Sequence, residues 1–486
     1  MVRQTFTVSV VVSLLACASA SRSAPTVAPS SDLIAKMVTE GTDRSHVPKD
    51  LGYLTDVIGP RLTGSAGMRR ANDWTAAKFR EYGADRAWLE SWTFGVGWER
   101  GAMTVRMLEP QRRELLGVSW AWSPGTNGPV AGAVVLVDAR TRREFDRRFA
   151  GKLRGAWVMT APATPVTNPD GPKLSSADSA RLAAARRAAN TFNDEERAFV
   201  AGRLDLLVRE GIAGIVRDGA KEFALFTMSG SPLSISPVPQ IVVANETYAQ
   251  FQRLSEQNVP VRIEVDMHNT FTRDTLQQAN TVAEIRGSER PDEVVLLGAH
   301  LDSWDIGTGA TDNGTGAIAV LEAARILGAA GARPKRTIRF ALFSGEEEGL
   351  LGSLAYAKAH QAELAKFQAV LVLDNGSGRI TGMALQGRDE LAGLWRSLLQ
   401  PVAPLGPFVV RSGNKGGTDH LSFIQYGVPG FNYDQLSRGY DHTHHSQVDV
   451  YDHTVPGDIA QAATVMAVNA WELANLAELL PRNGKP

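Results

Sequence analysis

At 486 residues the chain is long enough for two or three domains, each burying its own core. Its 43% hydrophobic and 21% charged residues are ordinary for a soluble globular protein. The formal net charge of -1 comes with no basic stripe, so nucleic acid is excluded as the expected partner. The nearest run, Arg140–Arg148 (RTRREFDRR), is broken by acidic residues and reads as a solvated face.

Residues 1–20 read as an export signal. Arg3 supplies the positive charge, and Val8–Ala16 (VSVVVSLLA) is an apolar segment too short to span a bilayer. Two cleavage readings stand. Ala18-Ser19-Ala20 fits a signal-peptidase site, while Leu14-Leu15-Ala16-Cys17 fits a lipobox in which Cys17 would carry lipid. Either reading sends the protein to the periplasm, the exterior or the envelope, with membrane contact only through an anchor at Cys17. Cys17 is the only cysteine, so the mature protein has no disulfides and depends on packing. Residues 21–31, rich in Ser, Ala and Pro, read as a disordered tether. No later stretch is apolar for long enough to cross a membrane.

Residues 32–124 begin with helical patterns over Leu51–Val57 and Ala71–Tyr82, the second ended by Gly83, and turn to strands over Trp88–Leu108. Residues 125–268 read as a β-rich domain. Its short β-branched runs are Ala133–Val137, Gly155–Met159, Gly214–Val216, Gln240–Val243 and Val261–Met267. An Ala/Arg-rich stretch at 176–202 reads as a helical hairpin inserted into it. Residues 269–486 carry the rhythm of an α/β domain with a largely parallel sheet. Val294–Leu297, Thr337–Phe343 and Ala369–Leu373 alternate with helices over Gly316–Leu327 and Gly349–His360. Ligands bind such sheets beyond the carboxyl ends of the strands, where the polar clusters of this sequence fall.

His300-Leu301-Asp302 follows the first of these strands. Residues two apart in extended chain face the same way, so Asp302 can support a metal-binding His300 from behind. Taken alone, the pair reads better as a capping carboxylate beside a loop histidine. Gly309–Gly316 (GATDNGTG) opens the next helix with Asp312 as its one carboxylate, and the lysine and spacing of a phosphate-binding loop are missing. Glu346-Glu347-Glu348 follows an apolar strand, where like charges would repel unless a cation offsets them. Asp374 repeats the pattern, and five of the nine histidines crowd between His420 and His453. Histidine and carboxylate without cysteine suit zinc in a hydrolytic site, with manganese or cobalt as substitutes. Two histidines and three carboxylates are too many for one zinc with an open position, and they suit a pair of metals sharing a carboxylate and a water.

These motifs resemble the M28 zinc peptidases, and within them the carboxypeptidase Q (plasma glutamate carboxypeptidase) group with its bacterial relatives. The likeness runs over His300-Leu-Asp302, Asp312-Asn313-Gly-Thr-Gly, Ser344-Gly-Glu346-Glu347, Leu373-Asp374 and His445-Ser-x-x-Asp449, and takes in Ile58–Ser65 (IGPRLTGS). The resemblance implies a phosphorylase/hydrolase-like α/β sandwich with a mixed, largely parallel sheet, its catalytic part at 269–486. It also implies that the β-rich insert is a protease-associated domain. It makes Asp312 the bridge between two Zn2+ ions, with His300 and Asp374 on one ion and Glu347 and His445 on the other. It makes Glu346 the general base and Asp302 the partner of His300, and it places a cis peptide at Asp312–Asn313. His420, with Tyr433 as rival, reads either as a donor to the oxyanion or as a brace of its loop. The implied activity is an exopeptidase or dipeptidase on short peptides, with aminopeptidase as the alternative and a homodimer as the assembly. A receptor-like ectodomain would lack ligands, and a glutaminyl cyclase-type acyltransferase generally lacks such an insert.

Overall fold

The computed structural model describes residues 31–165 and 191–482. The expected export signal, Cys17, nearly all of the tether and residues 176–190 of the expected hairpin lie outside these. Ser31, assigned to the tether, opens α1 (Ser31–Asp43), followed by α2 (Val47–Gly52) and α3 (Ala66–Glu81). Ser65 caps α3, its side chain accepting from Met68 N. Strands β1 (Arg86–Glu99), β2 (Met103–Glu109), β3 (Arg113–Glu114), β4 (Gly117–Ser119) and β5 (Val130–Leu136) follow, then α4 (Arg142–Arg148) and β6 (Trp157–Met159). Beyond residue 190 come α5 (Asp194–Arg209), β7 (Gly214–Asp218), β8 (Gln240–Val243), α6 (Asn245–Glu256), β9 (Arg262–Met267) and β10 (Thr270–Ile285). The chain continues through β11 (Arg290–His300), α7 (Thr315–Ala330), β12 (Arg336–Phe343), α8 (Leu351–Ala359) and β13 (Phe367–Val372). It ends with β14 (Ile380–Ala384), α9 (Ala392–Leu399), β15 (Val409–Arg411), α10 (Leu421–Ile424), β16 (Gly430–Gln435), α11 (Tyr440–Thr443) and α12 (Pro456–Asn475).

The strands form two mixed eight-stranded sheets. The first runs β1-β10-β12-β11-β13-β16-β14-β15, and its centre, β12-β11-β13-β16, is parallel. Helices cover both faces of that centre, so its strands are apolar throughout, and all six residues of β13 are buried. Alternation splits the side chains between two cores. Val295, Leu297, Phe340 and Leu371 face the cluster built by α1, α3, α7 and α12, while Leu296, Ala341, Phe343 and Val370 face Tyr356 and Phe423 on the other side. Helices α7 and α12 are buried along nearly their whole length, which is why they read as continuous apolar segments. Among the described residues no helix is long and apolar enough to cross a membrane.

The second sheet runs β3-β2-β9-β5-β6-β7-β8-β4 and differs from the β-rich expectation in two ways. It starts at Met103, ahead of the expected boundary at 125, because β2 pairs with β9 across its whole length. Strands β5 to β8 are parallel, with helices α4, α5 and α6 along this stretch of chain, so this body is itself α/β. The long antiparallel ribbon β1–β10 belongs to the first sheet and leads into the second at its far end. A cluster of Phe94, Trp98, Trp122, Met228 and Trp304 joins the two bodies.

Candidate metal centre

The parallel centre aims three carboxyl ends at one place. His300 is the last residue of β11, Glu346 and Glu347 follow β12, and Asp374 follows β13. Asp312 comes from the irregular turn before α7, and the peptide between Asp312 and Asn313 is cis. His445 arrives from the loop after α11 in a left-handed conformation, with φ of 57°. Asp312, Glu346, Glu347, Asp374 and His445 line a cleft of about 330 Å³, with His300 buried behind them.

The distances divide the cluster in two. His300 Nε2 lies 3.3 Å from Asp312 Oδ1, 3.8 Å from Asp374 Oδ1 and 3.9 Å from Glu346 Oε2. His445 Nε2 lies 3.0 Å from Glu347 Oε2 and 3.5 Å from Asp312 Oδ2. Asp312 thus turns one oxygen toward each histidine. Three sets of donor atoms within 4.8 Å of one another emerge: His300, Glu346 and Asp374; His300, Asp312 and Glu347; and Asp312, His444 and His445.

The residues fit bound metal on two further grounds. His300 Nε2, Asp312 Oδ2 and Glu347 Oε1 are buried without a hydrogen-bond partner, whereas buried polar atoms are nearly always paired. Burial, and then the neighbouring carboxylates, push the Glu346 and Glu347 carboxyls well above the usual range. Burial works against a charge on His300 and is overridden by Glu346 and Asp374, so its imidazole is held well above its ordinary value. A buried site that draws protons onto carboxyls and imidazole together is short of positive charge, and divalent cations supply it.

Braces from distant parts of the chain hold this arrangement. Asp449 accepts from Thr311 N at 2.5 Å, Thr311 Oγ1 at 2.8 Å and Asp312 N at 3.2 Å, which fixes the turn carrying Asp312. Asn313 Nδ2 donates to Leu373 O at 2.9 Å and ties that turn to the end of β13. The segment Ile58–Ser65 lies beneath the site. Arg61, fully buried, donates to Leu301 O, Thr308 O and Gly309 O at 2.6–2.7 Å and to Gly59 O at 3.2 Å. Burial lowers its pKa to about 10, against the pull of Asp449, Asp302 and Asp312, so it stays charged at neutral pH. Replacing Arg61 by Met would leave the carbonyls of Gly59, Leu301 and Thr308 unpaired beside a carboxylate cluster, while Gly309 O keeps its bond from Gly314 N. The expected loss is about 3–5 kcal/mol, read from the urea midpoint of the metal-free protein.

Two expected residues sit differently from the sequence reading. His300 Nδ1 is 3.1 Å from the backbone oxygen of Asp302 and 3.6 Å from its carboxylate, so the main chain makes the nearer contact. The Asp302 carboxylate instead accepts from Thr63 Oγ1 at 3.1 Å and from Glu347 N at 3.2 Å, joining β11 to the turn after β12. His420 stands in the place of the second alternative, a brace of its loop. It is fully buried, with Nε2 at 2.9 Å from both Lys415 O and Gln386 Nε2, and does not line the cleft. Burial lowers its pKa to about 4, which makes it a neutral brace of the 415–420 loop. Its rival Tyr433 donates to Asn469 Oδ1 in the core. The cleft wall holds Tyr440 and His444, which the sequence reading left without a role. His444 Nε2 is 3.8 Å from Asp312 Oδ2, and its ring stacks on His445 at 3.7 Å. Burial, reinforced by Asp312 and Asp374, holds the Tyr440 phenol well above its usual value, so it remains a neutral donor. The signal for both was position, since they open and close the histidine-rich turn that delivers His445.

The sequence pattern of peptidase family M28 matches residues 280–470. Mouse carboxypeptidase Q is 30% identical over 93% of this chain and 90% of its own length. The crystal structure of a peptidase M28 precursor from Shewanella amazonensis superposes with a TM-score of 0.74 at 27% identity, covering 94% of this chain and 99% of that one. A zinc aminopeptidase from Bacillus subtilis shares the fold with a TM-score of 0.62 at 17% identity, covering 88% of this chain and 94% of its own. The end-to-end likeness to carboxypeptidase Q and the metal-ready cluster at the strand ends lead to one assignment: this chain belongs to peptidase family M28 and is a metallopeptidase.

Proposed function

We propose that the protein is a two-zinc exopeptidase acting on dipeptides or short peptides in the manner of carboxypeptidase Q. The observation that carries the two-metal reading is the Asp312 carboxylate, with one oxygen toward His300 and the other toward His445. His300 and Asp374 would hold one ion with Asp312, and Glu347 and His445 the other. The second body, with its parallel strands beside the cleft, takes the place of a protease-associated domain.

When bound, zinc supplies Lewis acidity, polarising the peptide carbonyl and acidifying water toward a pKa of ~7. The protein's own part centres on Glu346, whose carboxylate lines the cleft beside His300. Glu346 takes the proton from the attacking water and delivers it to the leaving amine. His444 and Tyr440 stand on the cleft wall, where an N–H or O–H can donate to the oxygen that gains charge as water adds. Asp302 keeps Glu347 in place through its backbone N–H, and Asp449 keeps Asp312 in place.

The carboxypeptidase Q reading rests on 30% identity across nearly the whole chain, against a likeness in fold to the Bacillus enzyme. A panel of dipeptides, N-blocked peptides and C-amidated peptides tests it. Cleavage is expected to fail on C-amidation, and on both blocks for a strict dipeptidase. Cleavage that survives C-amidation and fails only on N-blocking would mark an aminopeptidase and overturn the reading.

A further inference from the structure

The second body reaches the metal centre through a strap, Gly219–Met228, which runs between β7 and β8 and lies against the loop Asp441–Gln447. Lys221 Nζ donates to three carbonyls of that loop: Asp441 O at 2.6 Å, His444 O at 2.8 Å and His442 O at 3.3 Å. An ammonium has three N–H groups, so Lys221 spends all of them on this one turn. Met228 N donates to His445 O at 2.8 Å, so the carbonyls of His442, His444 and His445 are all held from the second body. Farther along the turn, Gln447 accepts from Phe226 N and donates to Ala224 O, both at 2.9 Å. Ala220, Phe223 and Ala224 all adopt φ of 59°, a left-handed conformation that side chains rarely take unless partners impose it. His445 is left-handed too, so both sides of this contact hold a conformation that their partners impose.

We propose that Lys221 is a positioning residue of the metal centre: by gripping the backbone on either side of His444, the second body sets how tightly the His445 metal position holds its ion. The proposal rests on the two-metal reading above. The two positions differ in what supports them. His300 and Asp374 stand at ends of central strands, whereas His445 stands on a turn whose carbonyls are tied to another body. Groups that orient a ligand in this way typically govern metal affinity by a factor of ~10–100. Loss of Lys221 therefore falls on one ion and spares the other.

The test titrates metal-free protein with zinc against a chromophoric chelator for the wild type, Lys221→Met and Lys221→Arg, with the melting temperature of each metal-free form measured alongside. Wild type is expected to bind two ions. Lys221→Met is expected to bind one as wild type does and the other ~10–100-fold more weakly, with Lys221→Arg recovering part of the loss. Should Lys221→Met fail to fold, Gln447→Met removes the contacts to Phe226 and Ala224 while keeping the lysine, and is expected to weaken the same ion. A variant that melts lower but binds both ions as tightly as wild type makes Lys221 a structural brace and overturns the proposal. A wild-type chain that binds fewer than two ions overturns the two-metal reading itself, and the proposal with it.

Discussion

Replacing Asp312 by Asn is expected to remove both metal ions and to cut turnover by ~1,000-fold or more. An amide is a poor substitute for a carboxylate that serves two cations, and losing several kcal/mol of Lewis-acid stabilisation costs at least that much in rate. Among the sequence-assigned ligands, Asp312 is the one set against both histidines, at 3.3 Å from His300 and 3.5 Å from His445. Its removal should therefore cost more metal than that of any other ligand. The same substitution also costs the empty protein. Burial works against the Asp312 charge but is overridden by His300, then by His445 and His444, so its carboxyl is held below its usual range. Metal-free Asp312→Asn is expected to melt lower than metal-free wild type. Retention of two ions by Asp312→Asn would show that the ions are bound elsewhere.

Glu346→Gln is expected to separate chemistry from binding. Zinc content and KM should stay near wild type while kcat falls by about 100- to 10,000-fold, the usual worth of a positioned proton-transfer group. Glu346 and Glu347 are neighbours in sequence with different surroundings. Glu347 approaches His445 to 3.0 Å and takes a backbone bond to Asp302, while Glu346 comes no nearer than 3.9 Å to His300 and faces the cleft. Glu347→Gln should accordingly lose metal where Glu346→Gln does not. Undiminished kcat in Glu346→Gln would end the proposed role.

The strand ends were readable in sequence because a run such as Leu371-Val372-Leu373 is uniformly apolar and stops abruptly at Asp374, and a parallel sheet gathers such ends on one edge. His445 was readable only by its motif, because the turn that carries it takes its shape from contacts with Lys221 and Met228, more than two hundred positions away. An Asp-His dipeptide has no direction in sequence, so His420 reads equally as an oxyanion donor or as a brace, and only the fold shows its Nε2 against Lys415 O under the 415–420 loop. Ile58–Ser65 stood out as a motif, yet the role of Arg61 depends on carbonyls at Leu301, Thr308 and Gly309 that only the folded chain brings to it. The second sheet begins ahead of residue 125 because β2, which reads in sequence as one stretch with β1, pairs with β9. A partner so far along the chain leaves no mark on the local pattern.

Zinc content per chain decides whether Asp312 serves a pair of ions. Elemental analysis of zinc-loaded, desalted protein should give two ions for wild type, one for His445→Ala and none for Asp312→Asn. One ion in wild type, or two retained in Asp312→Asn, would rule out a pair of ions shared by Asp312.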